Sequence, residues 1–493
     1  MLSKSKIMRG KQCHKSLWLY KHQPELRQIS AGQEAIFQAG TDIGLLAQDL
    51  FPGGVDATEG QNYPNKQCAA RTLELIEQGV DVIYEATFIF DDVLVAIDVL
   101  AKEEGVWNIY EVKSTTKVKD AHLPDAAVQC YVTQGCGLTV GEVYLVHLNR
   151  NYVRQGDLDI QALFTKSKIT EGIKEFDEQI PSLIEELKEV QLMESVPEVA
   201  IGSHCSNPYA CDFMAHCWSH VPDYSVFNIT RIGSKSWELY DQDIMDINDI
   251  PEDFPLSKSQ QAQVNGEKNG TEIIDKVKIQ DFLDQLTYPL YYLDFETFMS
   301  PLPLFDGTRS YDQTVFQYSL HIQNELSGAC EHKEFLAAMD GKDPRRAFAE
   351  KMLEDCKEIG SIIVYNKVFE IGRIKELAQV FPDLAKELYA LTDRIIDLMK
   401  PFQSQAYYKK EMKGSYSIKY VLPALAPELS YNDLAIADGG TASSTFFAMF
   451  EGRFKGDYET TTKDLIKYCE RDTWAMVVLM EKLGEITNYE MRI

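Results

Sequence analysis

The stretch YYLDFETFM, Tyr291 to Met299, sets two carboxylates, Asp294 and Glu296, inside an otherwise aromatic and aliphatic run. A run of this kind reads as a buried strand. Side chains alternate between the faces of a strand, so Asp294 and Glu296 project from one side and Leu293, Phe295 and Thr297 from the other. Adjacent carboxylates repel each other unless cations neutralise them. A pair of divalent metal ions is the usual reason to build such an arrangement. The competing reading is an edge strand with a solvated acidic face.

Two later segments favour the first reading. In SIIVYNKVFEIGRIKELA, Ser361 to Ala378, a β-branched run gives way to a helical one, with Asn366 and Glu370 at the changeover. In DLIKYCERDTWAMVVLMEKL, Asp464 to Leu483, Leu465, Cys469, Met476 and Leu479 form an apolar stripe at helical spacing. Asp472 falls within that stripe, and Tyr468 lies one turn before it on the same face. An acid in an apolar stripe is costly unless it is paired or binds metal.

The order of these segments resembles the DnaQ-like exonucleases of the ribonuclease H-like superfamily. Asp294 and Glu296 match the Asp-x-Glu of the first motif, and Tyr468 and Asp472 match the Tyr-x-x-x-Asp of the third. The second motif usually ends in Asn-x-x-x-Phe-Asp or a close variant. Here it reads Asn366-Lys367-Val368-Phe369-Glu370, with Asp397 of DRIIDLMKPF as the alternative fourth ligand. The resemblance implies hydrolysis of a phosphodiester at a 3′ end. Asp294, Glu296 and Asp472 would hold two Mg²⁺ or Mn²⁺ ions roughly 4 Å apart. Tyr468 would orient the attacking water, because a phenol is a poor base at neutral pH.

The N-terminal half carries a second pattern. Asp98 lies at the end of VLVAID, and Glu111-Val112-Lys113 follows 13 residues later in the strand-like WNIYEVKS. Glu111 and Lys113 share a face by the same period of two. Asp followed by Glu-x-Lys resembles the PD-(D/E)xK core of RecB-like nucleases. That likeness implies a metal bound by Asp98 and Glu111, with Lys113 stabilising charge near the attacked phosphate. Gln129 stands where this group carries a glutamine; position 133 is threonine rather than the expected tyrosine, with Tyr131 nearby, and Glu34 is a candidate upstream acid.

Ten cysteines occur in a chain expected in a reducing compartment, so a disulfide framework is not expected. Cys205, Cys211 and Cys217 recur every sixth residue in HCSNPYACDFMAHCW, and Cys13 lies far upstream. One cysteine before the nuclease-like core and three after it resemble the iron–sulfur RecB-like nucleases. In those, four thiolates hold a [4Fe–4S] cluster that staples the ends of the domain. A Cys₄ zinc site is the rival, and His204 or His216 could enter a zinc set.

Length and charge bound the rest. A chain of 493 residues implies two or three domains. The net charge of −27 argues against a general nucleic-acid coat, yet it is compatible with a metal-dependent nuclease guided by local basic patches. Lys4, Lys6, Arg9, Lys11, Lys15, Lys21 and Arg27 crowd the N-terminus, and Lys409, Lys410, Lys413 and Lys419 alternate with tyrosines in YYKKEMKGSYSIKY. Each could equally be a solvated surface. No apolar run approaches the roughly 18 residues of a membrane span. The charged N-terminus lacks a signal-peptide core, so a cytoplasmic protein is expected.

The whole order is similar to a bacterial family that joins the two nuclease-like modules, with YPLYYLDFET, FQYSLH and GSYSIKYVLP as the shared phrases. The expected fold is α/β. A restriction-endonuclease-like domain with an iron–sulfur staple is expected over 1–220, a partly helical connector over 221–285, and a ribonuclease H-like exonuclease domain with a mixed sheet over 286–493. The expected function is a 3′→5′ exonuclease acting on DNA, with RNA as the alternative substrate and a nucleic-acid-binding adaptor with degraded sites as the alternative class.

Overall fold

VIYEATFIF and VLVAIDVLAKE pair as an antiparallel ribbon, β3 (Val82–Phe90) and β4 (Val93–Glu103). The two residues between them, Asp91 and Asp92, both have positive φ, 51° and 56°. That backbone matches the twist of a two-residue hairpin, and aspartate tolerates it better than most residues. β5 (Val106–Lys113) returns antiparallel to β4, and β6 (Val140–Leu148) lies parallel to β5 after a crossover through helix His122–Gly135. With β1 (Leu2–Ser3), β2 (Val55–Asp56) and β7 (Phe164–Lys168) they form a seven-stranded mixed sheet in the order β2-β3-β4-β5-β6-β7. β1 pairs with the start of β4. Asp98 therefore lies within β4, which runs on five residues beyond it to Glu103, rather than at a strand end.

The computed structural model describes residues 1–488 except 30, 62, 63, 326 and 358, and the side chains of 31, 32 and 34–37 lie outside the description. The chain is a mixed α/β protein that divides into two units. One comprises Met1–His220 with Ser300–Asp312, the other Val221–Met299 with Gln313–Ile493. Segment 300–312 is tied to the first unit through Arg154, which donates to the Leu304 carbonyl at 2.8 Å, and through Tyr311, which donates to the Ser114 carbonyl. The segment from 221 to 285 belongs to the second unit and carries an apolar cluster of its own, including Val226, Ile229, Leu239 and Val264.

The second unit is built on five strands: β9 (Leu290–Met299), β10 (Gln313–Gln323), β11 (Cys330–Leu336), β12 (Ser361–Val364) and β13 (Ile395–Asp397). Their order is β11-β10-β9-β12-β13; the first three are antiparallel, and β12 and β13 run parallel to β9. β8 (Ile273–Ile274) and β14 (Tyr407–Tyr408) form a separate small ribbon. Tyr291, Leu293 and Phe295 pack against Phe348, Ile374 and Leu388 on one face. On the other, Phe298 meets Phe446, Phe447 and Phe450 of helix Gly439–Phe450. The same face is covered by the 30-residue helix Tyr458–Thr487. Among the described residues no helix is long and apolar enough to cross a membrane.

Candidate active site and metal centres

β9 delivers Asp294 and Glu296 to the face beneath helix Tyr458–Thr487, and that helix returns Asp472. One carboxylate oxygen from each of the three lies within 4.8 Å of the others. Opposite Glu296 the β9–β10 register slips between Val315 and Gln317. A bulge of this kind re-aims neighbouring side chains. The three acids sit in a cavity of about 720 Å³ also lined by Tyr365, Asn366, Glu370, Lys413, Lys419 and Tyr468.

Electrostatics separate the three acids. Burial, then Asp472, Glu296 and Glu370, push the Asp294 carboxyl well above its usual range. Burial and Asp472 do the same to Glu296, opposed by Lys419. Asp472 rises only to about 6: burial raises it, but Tyr431, Lys419 and Tyr468 favour its charge. Tyr431 donates to Asp472 Oδ1 at 2.6 Å. The Lys419 ammonium lies 5.4 and 5.5 Å from the ring centroids of Tyr468 and Tyr431 and donates to the Ala437 carbonyl at 2.8 Å. Three crowded acids with strained ionisation are the donor set that a hard divalent cation relieves.

Glu370 opens onto the same cavity from helix Lys367–Val380. It is buried, its Oε2 has no hydrogen-bond partner among the described residues, and burial followed by Asp397 raises its carboxyl to about 8. It lies outside the group of three whose oxygens fall within 4.8 Å of one another, but an orphaned buried carboxylate oxygen is a group for which a partner is expected. Asp397 is committed elsewhere: its Oδ1 accepts the backbone N–H groups of Asn366 and Met399, each at 3.1 Å. It thereby fixes the turn at Asn366, where φ is +93°.

The N-terminal constellation converges with additions. Glu111 is 1% exposed. Its Oε1 accepts from Lys113 and from Lys4, each at 2.6 Å, and its Oε2 accepts from Gln129 at 2.6 Å. Asp98 Oδ2 accepts the Val112 N–H at 2.6 Å, and Lys113 also donates to Asp125 at 2.7 Å. Burial opposes charge on Glu111, yet Lys113 and Lys4 hold its carboxyl well below the usual range. Asp98 is raised by burial and by Glu111, and Glu85 is raised to about 7 by burial and Asp56. Two ammonium groups and an amide thus surround the oxygens of Glu111. Lys4 arrives because β1 pairs with Val93 and Leu94 of β4, before the β4–β5 pairing begins at Val99 and Tyr110. The side chain of Glu34 lies outside the described residues.

Lys4 belongs to the basic N-terminal patch, yet its ammonium is paired with the buried Glu111. Arg9 and Arg27 of that patch also turn inward, donating to Asp212 at 2.6 and 2.7 Å. Asp125, Asp212 and Tyr431 carried no motif and escaped sequence reasoning; only the density of lysines before residue 28 hinted at buried partners.

Cys13, Cys205, Cys211 and Cys217 line a single small cavity with His204, Phe213 and Met214. Burial, then Cys211 and Cys205, raise the Cys13 thiol, and burial with its three neighbours raises Cys217. Thiolates are the ligands of structural zinc and of iron–sulfur clusters, so four cysteines around one cavity could serve either. A separate group, His321, His332 and Glu470, also brings three ligand atoms within 4.8 Å.

A family model described as a domain of unknown function, DUF2779, matches residues 291–417, which include Asp294, Glu296 and Glu370 and end before Tyr468. The chain is 29% identical over 226 residues to the uncharacterized protein UU173 of Ureaplasma parvum, covering 40% of this chain and 32% of that one. It is 25% identical over 230 residues to the MG366 homolog of Mycoplasma pneumoniae, covering 43% and 34%, and 24% identical over 220 residues to MG366 of Mycoplasma genitalium, covering 41% and 33%. The chain spans about a third of the length of these curated relatives.

Proposed function

We propose that this protein is a metal-dependent nuclease whose second unit removes nucleotides from 3′ ends, with DNA as the substrate. The observation that carries the reading is the convergence of Asp294, Glu296 and Asp472 within 4.8 Å at the base of a cavity wide enough for a nucleotide. The strand order β11-β10-β9-β12-β13, antiparallel then parallel, supports a ribonuclease H-like unit. Divalent ions held by the acids would supply an activated water and stabilise the leaving oxygen.

The remaining roles fall to side chains of this chain. Tyr468, whose hydroxyl is held above its usual range by burial and then Asp472, keeps its proton and can orient a water beside Asp472. Tyr431 steers Asp472 through its hydrogen bond. Lys413 and Lys419 place positive charge on the cavity lining where a phosphate backbone would lie. Gly439 leaves the space beside Glu296 open: a Cβ there would sit 3.5 Å from Glu296 Oε2 and 3.7 Å from the Tyr468 hydroxyl.

For the first unit we propose a RecB-like module that grips nucleic acid, with the four cysteines holding a [4Fe–4S] cluster. The lysine-saturated Glu111 favours a binding role there over a second hydrolytic one. The test is digestion of 3′-end-labelled and 5′-end-labelled DNA and RNA, single- and double-stranded, with Mg²⁺ or Mn²⁺. Mononucleotide release from the 3′ end of DNA is expected. Intact substrates under every condition would overturn the reading, and release from RNA alone would replace the substrate.

A further inference from the structure

Antiparallel register sets His321 of β10 directly opposite His332 of β11, the edge strand, with ring centroids 4.6 Å apart. Helix Tyr458–Thr487, which packs on both strands, brings in Glu470. One nitrogen from each imidazole and one carboxylate oxygen then lie within 4.8 Å of one another.

Both rings are held through one nitrogen. His321 Nδ1 is 2.9 Å from Thr473 Oγ1, His332 Nε2 is 2.9 Å from Ser319 Oγ, and the two hydroxyls are 2.7 Å apart. Among the described residues His321 Nε2 and His332 Nδ1 have no hydrogen-bond partner, and the Glu470 carboxylate has no ion pair. This is how metal-binding histidines are prepared: a hydroxyl, carbonyl or carboxylate fixes the far nitrogen and turns the near one to the ion. The two rings lie tilted at 31° to each other beside that carboxylate.

We propose that His321, His332 and Glu470 form a transition-metal site of the zinc class. Two imidazoles and one carboxylate suit zinc and its neighbours, whereas magnesium and calcium prefer all-oxygen shells such as Asp294, Glu296 and Asp472. The site is physically linked to the acid cluster. Ser319 lies opposite Asp294 in the strand register, and Thr473 follows Asp472 on the helix. An ion at this position ties the edge strand to the helix that carries Tyr468 and Asp472. The site does not rest on the nuclease reading, since its ligands and its metal differ from those of the acid cluster.

The test is a metal count on full-length protein. Wild type, His332→Gln, Glu470→Gln and Asp294→Asn are each equilibrated with zinc in excess magnesium, freed of loose metal by gel filtration and analysed by mass spectrometry. His332→Gln and Glu470→Gln should each carry one zinc fewer per chain than wild type, and Asp294→Asn should match wild type. The thiol cavity contributes equally to all four, so the difference reports this site. Glu470 is partly exposed, so its glutamine variant should fold even if the histidine variant does not, which circular dichroism will show. Cobalt gives a second readout: wild type minus Glu470→Gln should show visible d–d bands without near-ultraviolet sulfur charge transfer. Equal zinc in folded wild type and Glu470→Gln, or a featureless cobalt difference spectrum, would overturn the proposal.

Discussion

Replacing Glu370 by glutamine should make the metal-free protein more stable, and increasingly so as pH rises. The carboxyl is 2% exposed, has one oxygen without a partner, and is raised from 4.5 to about 8 by burial and Asp397. A native pKa above the unfolded one means that the unfolded chain releases this proton first. Stability is then fully present below about pH 4.5 and is lost as pH rises toward 8. At roughly 1.4 kcal/mol per pH unit the whole loss is about 5 kcal/mol, of which about 3 kcal/mol has gone by pH 7. Glutamine keeps the shape and cannot ionise, so it removes this term. The assay is thermal unfolding of both proteins in EDTA at pH 5, 7 and 9. Their difference should be small at pH 5 and reach roughly 6–12 °C at pH 7, since 1 kcal/mol moves the midpoint of a unit this size by about 2–4 °C. Manganese should narrow the gap, because a cation lets wild-type Glu370 ionise without penalty. A difference that stays constant from pH 5 to 9 would refute the account of Glu370 as a strained acid awaiting a cation.

Asp294→Ala or Asp472→Ala should abolish 3′-end degradation with the fold intact by circular dichroism, and unchanged degradation by both would reject the acid cluster as the hydrolytic centre. Lys113→Ala should remove any cleavage that survives those changes; a C-terminal variant with no residual activity at all would leave the first unit a binding platform. Lys4→Met should destabilise the first unit by removing one of the two ammonium groups on the buried Glu111 carboxylate, with Lys113 and Gln129 left to hold it. Because the Glu111 carboxyl is depressed from 4.5, that deficit should be full above about pH 5 and shrink only as pH falls well below 4.5, which urea unfolding at pH 3 and pH 7 would reveal. Anaerobically purified protein should be brown, and Cys13→Ser or Cys211→Ser should bleach it and expose the N-terminal segment to protease; colourless protein with one stoichiometric zinc at the thiols would assign that cavity to zinc.

Local rules made much of the frame legible in the chain itself. The period of two placed Asp294 with Glu296 and Glu111 with Lys113, and helical spacing placed Tyr468 one turn from Asp472; these relations depend only on neighbouring residues and on alternation along one element. What tertiary structure alone decided is where distant polar groups meet. Lys4 reaches Glu111 across 107 residues because a two-residue strand joins the edge of β4, and Tyr431 reaches Asp472 across 41. His321 and His332 become partners only once β10 and β11 fix their register, and Glu470 joins them only when the long helix crosses that face. Charge in sequence cannot distinguish a solvated lysine from one sunk against a buried acid, because that difference is desolvation, and desolvation is a property of the folded packing.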